Sequence, residues 1–267
     1  MTFRFAGALA LALATSSSMA LAGGLERTVP SVSILFEEGR DLEFSGSFVL
    51  PDLDGDDGTI PAGFPGAGAS LSGNTGNLLD SYFNFGAAYK GDFNDDLSYA
   101  LIISQPLGAN SSYPSGTSAN PLDARNVYGG SGAELVSVAA TALLSYDVTD
   151  RVKIYGGPVV QMIDAEASLS FLSDYQVDAD PSFGVGFAVG AAYSIPDIAF
   201  RAALTYRSEI RHDLDTAESS TALGQNETDT TIDTPQSLTF DFQTGVAQDT
   251  LVVGQGHWVD WSEVEIS

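Results

Sequence analysis

The segment Val136-Ser-Val-Ala-Ala-Thr-Ala-Leu-Leu-Ser-Tyr146 decides the fold. One alternate set of its residues is Val136, Val138, Ala140, Ala142, Leu144 and Tyr146; the other is Ser137, Ala139, Thr141, Leu143 and Ser145. A period of two belongs to an extended strand, whose side chains leave on opposite faces. One face here is apolar and ends on an aromatic ring, while the other is smaller and wetter. Roughly ten residues is the length a tilted strand needs to cross a bilayer, and this two-faced pattern is that of a transmembrane barrel.

The same pattern recurs on both sides of this segment. Leu97, Tyr99, Leu101 and Ile103 alternate with Ser98, Ala100, Ile102 and Ser104. Phe83, Phe85, Ala87 and Tyr89 alternate with Tyr82, Asn84, Gly86 and Ala88. These sets place Phe83, Phe85, Leu101, Ile103, Val138 and Leu144 on the lipid side. Nine such strands are read near 41–50, 78–90, 96–106, 134–147, 151–166, 183–194, 199–208, 235–247 and 250–264. Short connections at 91–95, 149–150, 195–198 and 248–249 alternate with long ones at 51–77, 107–133, 167–182 and 209–234. Barrels of the outer membrane alternate short periplasmic turns with long outer loops, so the first strand runs outward. The expectation is an all-β, antiparallel transmembrane β-barrel.

Composition narrows the function. The 267 residues carry 35 acidic and 10 basic side chains, a formal charge of −25, which argues against nucleic acid as a partner. With 44% hydrophobic residues, acidic disorder is a poor reading. There is no Cys and there are only two His, His212 and His257, so disulfides, thiolate metal sites and a Cys nucleophile are excluded. Residues 1–22 read as a secretory signal peptide: Arg4, an apolar run from Phe5 to Ala14, and Ala20-Leu21-Ala22 as the cleavage site. Export in a bacterium, with no run long enough for a transmembrane helix, leaves the periplasm or the outer membrane.

Other chemistry is weak. Asp52-Leu-Asp-Gly-Asp-Asp-Gly58 resembles the opening of a calcium loop, but its Gly falls one place late and position twelve is Gly63. The acids Asp213, Asp215, Glu218, Glu227, Asp229 and Asp233 read as a solvated outer loop. Trp258 and Trp261 flank Asp260 and read as girdle residues, or as one facing lipid and one the lumen. The glycines between Phe183 and Tyr193 lie in a strand pattern with no following helix, which argues against a dinucleotide loop. No G-x-S-x-G occurs. No catalytic residue, metal or cofactor is expected, and the chain is not read as an enzyme.

A family resemblance then becomes specific. Gly24-Leu-Glu-Arg-Thr-Val-Pro-Ser-Val-Ser-Ile-Leu-Phe-Glu-Glu-Gly39 resembles the start of FadL/TodX-type outer-membrane transport proteins. Phe85-Gly-Ala-Ala-Tyr-Lys90, Ser104-Gln-Pro-Leu-Gly-Ala109, Ile154-Tyr-Gly-Gly157, Ala202-Ala-Leu-Thr-Tyr206 and Thr234-Pro-Gln-Ser237 follow in order. Phe240-Asp-Phe-Gln-Thr-Gly245 and Trp258-Val-Asp-Trp-Ser262 complete the set. The resemblance implies passive transport of long-chain fatty acids or other hydrophobic molecules across the bacterial outer membrane. It implies a fourteen-stranded barrel, an N-terminal plug called the hatch, and sideways exit through a kink in the third strand.

On this resemblance residues 23–39 form a short hatch and residues 40–267 a partial barrel. Ile34, Leu35 and Phe36 close an apolar ligand path. The lateral opening lies at Gln105, Pro106 and Gly108, since Pro cannot donate to a ladder and Gly lacks a packing side chain. The same residues also fit a strand that simply ends at Pro106, and the hatch residues fit a loosely ordered N-terminus. The family's carboxylate partner would be a base late in the fifth strand. That stretch is Gln161-Met-Ile-Asp-Ala-Glu166, read as a lumen acidic pair of Asp164 and Glu166, which favours a neutral ligand. The end at Glu265-Ile266-Ser267, without a terminal aromatic, reads as C-terminal truncation, so about nine strands form an incompletely closed sheet. Implied partners are a hydrophobic small molecule, outer-membrane lipid and lipopolysaccharide, and the barrel-assembly machinery. A structural or general porin-like protein is the alternative.

Overall fold

The structure, a computed structural model, describes residues 23–56, 58–60, 66–222, 224–247 and 250–263. The leader read over 1–22, Asp57, Gly63 and the 248–249 turn lie outside them. One antiparallel sheet contains twelve segments. They are β1 (Asp41–Val49), β2 (Tyr82–Asp92), β3 (Leu97–Ser104), β4 (Gly108–Ser112), β5 (Gly132–Thr149) and β6 (Val152–Leu169). β7 (Tyr175–Ile195), β8 (Phe200–Arg207), β9 (Ile210–Ser220), β10 (Gly224–Thr234), β11 (Ser237–Ala247) and β12 (Thr250–Val259) follow.

These segments make nine crossings, in the order β1-β2-β3-β5-β6-β7-β8-β11-β12. β3 and β4 are two pieces of one crossing, both paired with β5. β8 and β9 likewise pair successive stretches of β7. Among the described residues β1 pairs only with β2 and β12 only with β11, so the half-barrel has two open edges.

The alternation seen in sequence sorts the faces. On β5, Ser137 and Thr141 are fully buried on the concave side, while Leu144 and Tyr146 are exposed on the convex side. Phe83, Phe85 and Leu101 are also exposed, and Ile103 and Val138 are half-buried on the same outward phase. On β7 the outward set Phe183, Val185, Phe187, Val189 and Tyr193 is exposed. Apolar side chains on the outer face of a sheet with small residues inside suit a hydrocarbon solvent rather than water. Near the short turns Phe93 packs on Tyr99 at 4.8 Å and Tyr99 on Tyr89 at 6.0 Å, as an interfacial aromatic belt would.

β7 has 21 residues, so at about 3.3 Å each it reaches roughly 70 Å, more than twice the hydrocarbon thickness of about 30 Å. The wall therefore continues beyond the apolar band. This corrects two long loops read from the sequence. β6 runs on to Leu169 and β7 begins at Tyr175, and residues 209–234 are mostly the hairpin β9–β10. Charged side chains on their outward face hid the strands: Arg211, Asp213 and Asp215 are exposed, while Ile210, His212 and Leu214 keep the inward phase.

Asp164 and Glu166 need the same correction. The inward phase of β6 is Tyr155, Val159, Gln161 and Ile163, all buried; Asp164 and Glu166 take the opposite phase and are exposed. They sit on the outer surface beyond the apolar band and do not form a lumen pair. Glu166 is flanked in register by Glu134 and Asp178. Asp54 and Asp56, in the calcium-like stretch, both accept from the Asn74 amide instead.

Candidate functional site

The concave face is filled by the chain's own N-terminal segment. Val32, Ile34 and Leu35 are 1%, 1% and 0% exposed and pack on Ala100, Ile102, Ala139, Leu143, Val159 and Ala188. Burial of each such side chain stabilises by roughly 2 kcal/mol. The small inward residues of the wall leave the room they occupy. Ser33–Phe36 forms one 3-10 turn, and Phe36 meets the Tyr155 ring edge-on at 6.2 Å. Tyr155 itself crosses β7 at Gly190, where a side chain would collide with its ring, and its hydroxyl meets Thr205 Oγ1 at 2.7 Å.

Three cations hold the exit end of this segment. Lys153 Nζ donates to the Leu35 carbonyl at 3.2 Å, and Lys90 Nζ to the Gly39 carbonyl at 3.1 Å. The Arg201 guanidinium lies 4.2 Å over the Phe36 ring. Cations suit this position because unpaired carbonyls cluster at the C-terminal end of a helical turn. Below them opens a polar vestibule of about 710 Å³.

The other end of the segment crosses the break between β3 and β4. The Arg27 amide donates to the Pro106 carbonyl at 2.9 Å, and Thr28 Oγ1 to the Gln105 carbonyl at 2.7 Å. Glu26 forms a bridge with Leu107, and its carboxylate reaches His257 Nε2 on β12 at 2.8 Å. Gln105 is buried, and its Oε1 accepts from the Phe85 amide at 3.0 Å. That contact matters because β2 pairs with β3 only from Ala87 to Asp92. From Tyr82 to Gly86, β2 has no ladder on that side. The interruption expected at Gln105, Pro106 and Gly108 is thus an interruption within the wall rather than the end of a crossing, since β4 resumes at Gly108. A groove of about 600 Å³ runs here. It is lined by the inward Ile34, Asn84 and Ile102 and by the outward Phe85 and Ile103.

Above the segment lies an apolar cavity of about 70 Å³ between Leu107, Ala139, Val159 and Ile210. Arg207, Gln161, Thr234, Trp261 and the Glu26–His257 pair also line it. Of the two tryptophans, Trp258 is exposed on the outer face and Trp261 lines this cavity. Arg207 is 9% exposed; its Nη1 donates to Thr141 at 3.1 Å, while Nε and Nη2 have no hydrogen-bond partner among the described residues. His212 is 0% exposed, and neither ring nitrogen has such a partner. Buried polar groups are normally satisfied, so these atoms mark places suited to a guest or to water.

Neither Arg207 nor His212 was singled out from the sequence as a lumen residue. The signal was present for Arg207: it shares the phase of Ala203 and Thr205, which is the inward one. The neutral-ligand expectation rested on Asp164 and Glu166 facing the lumen. Those two face outward, and Arg207 faces the cavity.

No protein-family model matches the sequence, and no curated protein matches it. Solved structures do. A FadL homologue of Pseudomonas aeruginosa superposes over 95% of this chain and 70% of that chain, with TM-score 0.65 and 15% identity. The Ralstonia pickettii toluene transporter TbuX superposes over 85% of this chain and 64% of that chain, with TM-score 0.54 and 17% identity. The chain therefore spans about two thirds of the length of these structures, and its fold is that of a FadL-type β-barrel.

Proposed function

We propose that the protein is a passive conduit for hydrophobic small molecules across the bacterial outer membrane. In this reading a guest enters from the outer side, reaches the cavity above the N-terminal segment, and leaves sideways between β2 and the β3–β4 break. Ile34, Leu35 and Phe36 are the plug that keeps the guest from the vestibule below. The observation that carries the reading is the groove at the break, whose lining includes both inward and lipid-facing residues of the same wall. The fold shared with a FadL homologue and with a toluene transporter supports it. Secretion through a leader at 1–22, insertion by the barrel-assembly machinery, and contact with lipopolysaccharide above the apolar band belong to the same proposal.

The Arg207 guanidinium, whose Nε and Nη2 make no hydrogen bond among the described residues, extends the reading to the guest. An acceptor or anionic end would satisfy it, with an apolar tail between Val159 and Ile210, which describes a fatty acid better than a hydrocarbon. A general porin is the weaker reading, because Val32, Ile34 and Leu35 occupy the space a water-filled pore would need.

The test is uptake by cells or vesicles carrying the protein. A bulky maleimide on Phe85→Cys, which lines the groove at the break and is exposed, should abolish uptake of hydrophobic probes. The same label on Leu144→Cys, on the lipid face, should not. Equal uptake with both labels would end the lateral route.

A further inference from the structure

The break in the wall is not empty. Arg27 belongs to the N-terminal segment inside the lumen, here called the strap, and is bonded through its amide to Pro106, while its side chain enters the wall at Gly108. A Cβ at position 108 would collide with the Arg27 side chain at Cδ, Nε and Cζ. Gly108 is directly opposite Val136, and paired residues of an antiparallel ladder share a face. Val136 is on the outward phase of β5, alternating with buried Ser137. The guanidinium thus stands in the space of an outward-facing side chain, with the Tyr82 ring 4.1 Å away on the other bank of the break.

Its bonding there is sparse. Nε and Nη2 are buried and make no hydrogen bond among the described residues, where no carboxylate lies within ion-pairing distance and Glu134 acts on the guanidinium only through space. Asn84 Oδ1 and Ser104 Oγ, which line the adjoining groove, are buried without partners as well. Among the described residues, three of the five side chains with unsatisfied buried atoms therefore gather at this one place. A partly buried cation with unfilled hydrogen bonds, on which the Glu134 carboxylate acts only through space, attracts an anion and repels another cation.

We propose that Arg27 is the specificity-determining gate of the lateral opening. Its side chain stands where a ladder would otherwise close the wall, and it admits amphiphiles with an anionic end in preference to neutral ones of the same length. This rests on the lateral route proposed above. An arriving carboxylate draws the guanidinium off Tyr82, forms the hydrogen bonds that Nε and Nη2 lack, and opens the space between Tyr82 and Gly108. A neutral chain must displace the same side chain with weaker compensation.

The experiment compares uptake of dodecanoate and dodecanol by cells carrying the full chain, as a ratio. Removing the charge in Arg27→Met should lower the dodecanoate-to-dodecanol ratio by about tenfold, and Arg27→Lys, which keeps the charge but loses the planar fork, should lower it by clearly less than Met does. Gly108→Val, which keeps Arg27 but fills its seat, should lower the ratio as well. Heat-modifiable migration confirms that each variant has assembled. If both compounds enter and neither Arg27→Met nor Gly108→Val shifts the ratio, the gate is overturned while the conduit stands. If neither compound enters through the parent protein, the conduit falls and the gate with it.

Discussion

The wall is interrupted twice, and the two interruptions are sealed in different ways. One lies between β3 and β4, at Gln105–Leu107. The other lies between β8 and β9, at Ser208–Glu209, opposite Pro235–Gln236 between β10 and β11. At the second, the crossing seals itself. Ser208 donates through its amide to the Phe187 carbonyl and accepts from the Phe187 amide through Oγ, both at 3.0 Å. Ile210 then bends inward over Gly184 and Gly186, where no Cβ would fit. At the first, Ser137 on β5 holds Leu107 in a similar way, its Oγ accepting from the amide at 2.8 Å and donating to the carbonyl at 2.7 Å; on the β2 side the strands supply the Gln105 side chain, and a segment some eighty residues away in sequence, Glu26–Thr28, completes the seal. A break closed by its own strand is architecture. A break closed by a remote strap can open without unravelling the sheet.

The largest expected effect tests the architectural side. Gly184→Val would drive a branched side chain into Ile210, the Arg211 carbonyl and His212. Overpacking of this kind costs typically 1–3 kcal/mol and more where backbone is struck. Heat-modifiable barrel should be lost almost completely. Normal yield from this variant, with the Gly108→Val protein failing instead, would invert the comparison.

Next in size is the strap's anchor. Leu35→Asp buries a charge in the apolar cluster, at a cost of several kcal/mol, more than the sheet need lose if the strap lets go. The segment should leave the lumen while the barrel persists. Protease should then cleave within residues 24–39, and ion conductance across vesicles should rise. A variant that loses the barrel together with the strap would show that the N-terminal segment is part of the wall's foundation.

A smaller effect separates the two seals at single amides. Ser208→Ala removes one of two bonds between Ser208 and Phe187, and Gln105→Ala removes the side-chain bond to Phe85. An unsatisfied buried amide costs about 1–3 kcal/mol, so exchange at Phe85 should quicken by roughly tenfold or more. Phe187 should change less, since the Ser208 amide still holds that carbonyl. Hydrogen exchange read at these two amides decides the matter.

The smallest effect lies above the second break. Arg211 grips Asp233 across β9–β10 with two bonds of 2.8 Å, and these hold the Asp233 carboxyl below the usual carboxylate range. A depressed carboxyl contributes stability that is complete above its unfolded value, about 3.9, and is lost as pH falls through the lower folded value. Protection of the hairpin should therefore be flat from neutral pH to about pH 5 and decline only in stronger acid. Arg211→Ala should move that decline to higher pH. An unchanged profile would show that the ion pair adds nothing to the hairpin.

Much of this was legible in the chain. The period of two in Val136–Tyr146 and its repeats fixes nine crossings and the lipid-facing phase, because a strand cannot change which face a residue takes without a bulge. The interruption at Pro106 was legible for a similar local reason. The outer halves of β6, β7, β9 and β10 were not, since acidic side chains beyond the membrane need no apolar alternation. The direction of Asp164 and Glu166 needed the phase of the whole of β6, which Tyr155, Gln161 and Ile163 set by packing. Composition and periodicity depend on neighbours along the chain and determined the all-β, two-faced wall. What fills the wall, which break the strap closes, and that Arg27 and Arg207 each keep two buried nitrogens without a hydrogen bond among the described residues depend on neighbours far apart in sequence, and only the packed tertiary structure decided them.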